Sequence, residues 1–386
     1  MRIGTKITGI MNGIKGEMMN KFELEVSYCI DCKKCWDVCP VNKVTEGNIY
    51  TPQGKIESLA KVVAGEELTK EEYDNIYLST RCGACDDVCP VNIPITDIIQ
   101  YERQLLAEQG REPAKTTTIS NNIIEHNSPG AKDPSKRFDW ITDDIDLAES
   151  SEIAYMAGCW VSYSQQEVAR ATIRLLNHAG IRPMILKEEK CCGLFLIDSG
   201  HFEQAAEHAK KFVDYIESLG VKKVIASCPG CYLILGTEYP KLYRELNFEV
   251  ENSLNVFKDM IADGTLKPKK LDLTVAVRDA CPLRSSKDVP RSILESMGVE
   301  IKELFDGKQI CCGGPAGLKP NFPDIANDIA MLTVQSYKDK ADMLASYCPF
   351  CVHHMEGACK SKDEEMNIKD VSVLLAESVL GEDFIR

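Results

Sequence analysis

The sequence predicts a multidomain protein, with an all-α N-terminal domain followed by two α/β repeats that contain parallel sheets. Three observations carry this reading. Seventeen of the eighteen cysteines fall into tight groups, and only Cys359 stands outside. Beyond residue 150 the chain repeats itself with a period of about 120 residues. The apolar pattern is helical in the first third and alternates between strand and helix afterwards. The expected organisation is a tail at 1–21, a helical domain at 22–110, a linker at 111–150, and repeats at 151–265 and 266–386.

Composition narrows the function classes. With 386 residues, 44% hydrophobic and 27% charged, the chain can bury a sizeable core. Its 45 basic and 59 acidic residues leave a net charge of -14, which argues against nucleic acid as the main partner. No stretch approaches the roughly 18 apolar residues of a membrane span. The first 20 residues lack a continuous apolar core, so no signal peptide is expected. The cysteine spacings are those of metal ligands rather than disulfides, which points to a reducing, cytoplasmic setting.

In the N-terminal third, residues 29–40 read CIDCKKCWDVCP. Cys29, Cys32, Cys35 and Cys39, followed by Pro40, have the spacing of a bacterial-type ferredoxin. Three thiolates on a tight turn reach three corners of one iron–sulfur cube, and the fourth ligates a neighbouring cluster. A zinc knuckle is the competing reading, but zinc has no use for this four-cysteine run with its trailing proline. Residues 79–90 read STRCGACDDVCP, so Cys82, Cys85 and Cys89 match Cys32, Cys35 and Cys39, while Ser79 stands where Cys29 would be matched. With crossed ligands, one 4Fe-4S cluster takes Cys29, Cys32, Cys35 and Cys89. The other has only Cys39, Cys82 and Cys85. It is a 3Fe-4S cluster, a cube with Ser79 or water at one iron, or a site completed by a partner. Thr69 and Glu72 have capping-box spacing before a short helix. Ile95, Ile98, Ile99, Leu105 and Leu106 form a helical stripe that ends at Gly110. The domain is therefore a helical two-cluster ferredoxin-like one. Residues 111–150, rich in Pro, Ser, Thr and Asn, read as a linker partly ordered against its neighbours.

The repeat is visible in matched segments. IAYMAGC (153–159) pairs with VAVRDAC (275–281), KCCG (190–193) with ICCGG (310–314), and VIASCPGC (224–231) with MLASYCPFC (343–351). In each copy 35 residues separate the double cysteine from the next one. Each copy reads strand, helix, strand, helix, strand, with strands near 153–158, 182–187 and 222–227, and near 273–279, 299–305 and 342–347. The helices of the first copy carry Val168, Ile173, Leu175 and Leu176, then Phe202, Ala205, Ala209, Phe212 and Ile216. Alternating elements of this kind form parallel sheets, whose sites gather beyond the carboxyl ends of the strands. Every cysteine group follows a strand. Cys159, Cys191, Cys192, Cys228 and Cys231 should meet at one edge, and Cys281, Cys311, Cys312, Cys348 and Cys351 at another. Five thiolates exceed the four of a tetrahedral zinc site and suit a polynuclear iron–sulfur cluster better. Gly193, Gly313 and Gly314 would let backbone approach it. Trp36 and Trp160 would shield clusters from water. Lys190, Arg278, Arg284, Lys319 and His353 are cations near the cysteines, each weighed against ordinary surface exposure.

Two copies of this pattern resemble the cysteine-rich CCG domains of heterodisulfide reductase. A helical ferredoxin domain followed by two CCG domains is similar to that family's fused D-type subunit, from about residue 22 to the C-terminus. The resemblance implies two noncubane 4Fe-4S clusters, one per repeat, facing each other across a pseudo-twofold. The ten repeat cysteines would then be catalytic, splitting a small-molecule disulfide such as that of coenzymes M and B. No flavin or nicotinamide fingerprint is present, so electrons would come from a donor subunit, a flavoprotein or membrane cytochrome, which could hold the chain peripherally at a membrane. The alternative is an electron-transfer subunit of a flavin-dependent dehydrogenase of the glycolate, lactate or glycerol-3-phosphate type. Asp279-Ala280-Cys281-Pro282 departs from the family's Asp-Pro-Cys-His, and Ser79 is the second departure.

Overall fold

The computed structural model describes residues 21–303, 310–338 and 340–381. The expected N-terminal tail lies, except for Lys21, outside the described residues, as does the end of the strand expected at 299–305.

Among the described residues up to 110 the N-terminal domain contains helices and no strand. Most of its helices are short, and turns break the chain around each cysteine run. The helix Lys70–Tyr77 starts on a capping box, in which Thr69 Oγ1 accepts from Glu72 N at 3.2 Å and Thr69 N donates to Glu72 Oε2 at 2.9 Å. The long helix α1 (Ile95–Glu108) buries Ile95, Ile98, Ile99 and Leu106, and with them the ionisable Glu102 and Arg103.

The segment expected to be a linker is more structured than that. Helix α2 (Ala114–His126) buries Thr116, Ser120 and Ile123. Further on, Trp140 is fully buried, edge-on to Tyr155 with ring centroids 5.6 Å apart.

Each repeat is a four-stranded, all-parallel sheet. The first contains β1 (Ile153–Met156), β2 (Met184–Ile185), β3 (Lys223–Ala226) and β4 (Glu249–Asn252) in the order β2-β1-β3-β4. The second contains β5 (Thr274–Arg278), β6 (Glu300–Glu303), β7 (Met343–Ser346) and β8 (Ile368–Asp370) in the order β6-β5-β7-β8. The topologies are identical. The fourth strand of each sheet is an addition to the expected three. Both are short edge strands, and each delivers a helix cap: Asn252 Oδ1 accepts from Leu254 N, and Asp370 Oδ1 from Ser372 N.

The two repeats pack reciprocally, as a pseudo-twofold requires. Helix α3 (Gln166–His178) of the first lies on the last helix of the second. Helix α4 (Ser253–Ala262), the last of the first repeat, lies on α5 (Asp288–Ser296), which follows β5. Helix α6 (Pro349–Ser361) follows β7, and α7 (Val371–Leu380) is the helix that meets α3. One continuous apolar core runs through both copies, including Tyr155, Val168 and Leu176 with Ile293, Leu344 and Leu375. Burial of this shared core fixes the relative position of the two cysteine-bearing edges.

Candidate functional site

The N-terminal cysteines line two small cavities. Cys29, Cys32, Cys35 and Cys89 surround one, together with Ile56 and Ile93. Cys39, Cys82 and Cys85 surround the other, together with Ser79, Thr80 and Lys55. The turns that bring them there use left-handed backbone at Asp31 and Lys33 in the first run and at Arg81 and Gly83 in the second. Cys39 then caps the helix Pro40–Val44 with proline in its first turn, so its thiol belongs to a different cavity from its three predecessors. Ser79 is buried, and its Oγ accepts from Arg81 N at 3.2 Å. Lys55 is buried with Nζ 2.6 Å from Asn75 Oδ1, and burial pushes its ammonium pKa down.

The repeat cysteines converge on a cavity of about 1230 Å³ between the two sheets. Cys159, Cys191, Cys192, Cys228 and Cys231 line it from the first copy, and Cys281, Cys312, Cys348 and Cys351 from the second. Cys82 of the N-terminal domain also reaches it. In the first copy, Cys159 Sγ is 3.8 Å from Cys191 Sγ, and side-chain contacts continue from Cys191 to Cys192, to Cys231 and to Cys228. In the second, contacts run from Cys281 to Cys311, to Cys312, to Cys351 and to Cys348. Cys228 meets Cys348, its equivalent in the other repeat, so the axis passes between these two thiols. Cys311 also meets Cys82. Hydrogen bonds from neighbouring thiols hold Cys191, Cys228 and Cys312 well below the ordinary thiol range, from Cys159, Cys231 and Cys311 respectively. Cys82 is brought down to about 6, first by Cys311.

Local backbone makes these approaches possible. At Gly158 φ is +77°, and a Cβ there would lie 2.9 Å from Cys231 Sγ. At Gly313 φ is +88°, and a Cβ would lie 2.4 Å from the Ala326 carbonyl oxygen. Gly158 was not singled out by sequence reasoning, although its place directly before Cys159 is the available signal.

Two buried arginines and one carboxylate brace the arrangement. Glu189 accepts from Ala157 N at 3.0 Å and Gly158 N at 3.1 Å, fixing the turn that carries Cys159. Arg137 pairs with Glu189 at 2.9 Å and donates to Asn127 O, which also accepts from Cys191 N. Arg137 and Asn127 belong to the supposed linker, and nothing in its composition announces them. Arg103 donates to carbonyls of Ile76, Tyr77 and Ser79 in its own domain, of Asp198 in the first repeat and of Ala316 in the second. Arg81 makes a further ion pair to Asp198.

Among the cations picked out from sequence, Arg278 contacts thiols directly. Arg284 donates to Cys82 O at 2.6 Å, and Arg284 and Lys319 line the large cavity, whereas Lys190 does not. His353 lies against Trp160, whose ring also stacks near Phe350 of the other repeat, with centroids 4.6 Å apart. Trp160 therefore covers the junction between the copies. Cys359 is buried in α6, away from these cavities. Among the described residues, no group of three or more His, Cys, Asp or Glu side chains is arranged around a single metal ion's position. The fit to a polynuclear cluster rests on the donor set, which is all sulfur and exceeds the four donors of a tetrahedral ion.

Fold and site together define a class: an iron–sulfur oxidoreductase whose helical two-cluster domain adjoins paired five-cysteine α/β repeats. The cysteine-rich (CCG) domain family matches residues 153–236 and 275–356, and the 4Fe-4S dicluster domain family matches residues 25–93. The chain is 31% identical to the D-type subunit of dihydromethanophenazine:CoB–CoM heterodisulfide reductase from Methanosarcina acetivorans, across 92% of this chain and 94% of that protein. The corresponding protein of Methanosarcina barkeri is 29% identical over the same shares. The chain belongs to the family of D-type heterodisulfide reductase subunits, and it binds iron–sulfur clusters. The crystal structure of a hypothetical protein from Helicobacter pylori shares the fold, with a TM-score of 0.59 at 11% identity, covering 97% of this chain and 78% of that one. Among the described residues, no helix is long and apolar enough to cross a membrane.

Proposed function

We propose that this chain reduces a small-molecule disulfide to two thiols in the cavity between its repeats, with electrons delivered through its N-terminal domain. The observation that supports this most strongly is the meeting of two equivalent cysteine sets at one cavity, lined by nine of their ten thiols, with Cys228 against Cys348 on the axis. The reaction consumes two electrons and two protons per disulfide, and a pair of matched sites provides one for each sulfur.

Cys159, Cys191, Cys192, Cys228 and Cys231 would hold one noncubane 4Fe-4S cluster, and Cys281, Cys311, Cys312, Cys348 and Cys351 the other. When bound, such clusters supply one-electron transfer and thiophilic iron. Cys29, Cys32, Cys35 and Cys89 would hold an ordinary 4Fe-4S cluster. Cys39, Cys82 and Cys85 would hold the cluster that is one thiolate short. The protein's own residues do the rest. Trp160 and Phe350 pack together across the junction and would shield it from water. Lys319 lines the cavity, and burial lowers its ammonium pKa. It is placed to attract an anionic substrate group and to protonate a departing thiolate. Cys82 against Cys311 gives the N-terminal domain a direct contact with the second set. The electron donor would be a flavoprotein or a membrane cytochrome.

The test is an anaerobic assay of the purified protein with a reduced dye and candidate heterodisulfides. Two equivalents of dye oxidised per disulfide, with free thiols as product, are expected from protein holding about 15–16 iron per chain. Iron-replete protein that passes electrons to acceptors yet cleaves no disulfide would establish the relay reading instead. About four zinc and no acid-labile sulfide would remove both.

A further inference from the structure

The two cysteine sets are equivalent in fold but not in charge. One such difference lies at the last residue of the first strand of each repeat. In the first copy that residue is Met156, which pairs in register with Ala226; in the second it is Arg278, which pairs with Ser346. Both are buried, Met156 at 0% exposed and Arg278 at 3%. Arg278 Nη1 lies 2.9 Å from Cys351 Sγ, and Nη2 lies 3.6 Å from Cys281 Sγ and 3.5 Å from Ile310 O. Its Nε is buried without a hydrogen-bond partner. The adjacent Asp279 carboxylate takes Arg291 at 2.8 Å and the Tyr347 hydroxyl at 3.0 Å.

A guanidinium stays charged under all ordinary conditions. Buried, it is stabilised by anionic neighbours, and here those are cysteine sulfurs. A fixed positive charge beside a redox group favours the form carrying one more electron. We propose that Arg278 is a positioning residue of this kind, one that makes the second copy's set the preferred acceptor of the first electron. The inference rests on the proposed binding of a cluster by each set. The contact of Cys82 with Cys311 puts the N-terminal domain against the same copy, so charge and connectivity favour one end of the pair. The step is a one-electron reduction: the group at Cys39, Cys82 and Cys85 is oxidised, the second-copy group is reduced, and no bond changes. An external one-electron donor such as dithionite replenishes it.

The test is a potentiometric titration of the whole protein, followed by electron paramagnetic resonance, for the parent, Arg278→Gln and Arg278→Lys. Gln removes the charge and keeps an N–H donor, whereas Lys keeps the charge. At a fixed poise, Arg278→Gln should lower the reduced-to-oxidised ratio of one repeat cluster at least tenfold, a shift of about 59 mV for one electron. The other repeat cluster should be unmoved, and Arg278→Lys should stay within about threefold of the parent. Equal shifts in both variants, or no shift in either, would overturn the inference. So would loss of iron from Arg278→Gln alone, which would make the guanidinium a structural clamp. If the parent lacks repeat clusters altogether, the proposed function fails first, and iron analysis separates that outcome from the others.

Discussion

Arg103 is the residue whose replacement should uncouple the domains most directly. It is 1% exposed, and its guanidinium donates at 2.8 Å to Ala316 O, 3.1 Å to Asp198 O, 2.9 Å to Ser79 O and 3.0 Å to Ile76 O. It thus joins α1 to both repeats and fixes the loop that carries Ser79. Arg103→Met fills most of the volume, so cavity formation contributes little. The loss comes from carbonyls left unpaired in the interior, each costing about 1–3 kcal/mol. Relief from burying the cation offsets part of this. We expect a net destabilisation of about 4 kcal/mol, which is large for a single substitution. Chemical denaturation should show the N-terminal domain unfolding separately from the repeats, with proteolysis first at 109–114. Arg103→Lys offers three donors from a point charge and should lose about half as much. If Arg103→Met unfolds within about 0.5 kcal/mol of the parent, the bridging argument is wrong.

Two further outcomes follow from the same geometry. Ser79→Cys places a fourth thiol beside Cys39, Cys82 and Cys85, and should move that cluster's spectrum towards an ordinary four-iron type; a parent protein already showing two equivalent cysteine-only cubes would refute the crossed pairing. Glu102 is fully buried, accepts from Ser58 Oγ at 2.9 Å, and is pushed up by burial to about 8. Because its folded pKa exceeds its unfolded value, the folded state binds the extra proton between about 4.5 and about 8, and stability falls as pH rises through that window. Glu102→Gln should flatten this slope, measured as denaturant midpoints at pH 6 and 8.5, and an unchanged slope would place the proton elsewhere.

The cysteine chemistry and the alternation of strand and helix were legible because both are periodic. Metal-ligand spacing and the 35-residue gap survive in the one-dimensional sequence, and parallel topology then determines where the cysteines gather. The edge strands β4 and β8 were not legible. Each is short and made mostly of polar residues, so no apolar alternation marks it. Helix α2 escaped for a related reason: its buried face is Thr116, Ser120 and Ile123, a helical stripe made mostly of polar residues. Arg137, Glu189 and Arg103 act through partners far away in sequence, at separations that no local pattern encodes. Arg278 could be picked out as a cation near cysteines, but its position against Cys351 and Cys281 required the register of β5 and β7.

In the proposed reaction both repeats act together on one disulfide. Cys192→Ala and Cys312→Ala each remove a thiol from a different set, and both thiols line the shared cavity. The decisive measurement is the anaerobic rate of disulfide reduction for each variant and for the double variant. Reduction by dithionite of the cluster assigned to Cys29, Cys32, Cys35 and Cys89 serves as the internal control. Each single variant should lose disulfide reduction while that control remains intact, and the double variant should be no worse than either, because residues acting as one unit are not additive. Near-full disulfide reduction by either single variant, with its repeat cluster absent, would contradict the two-site account.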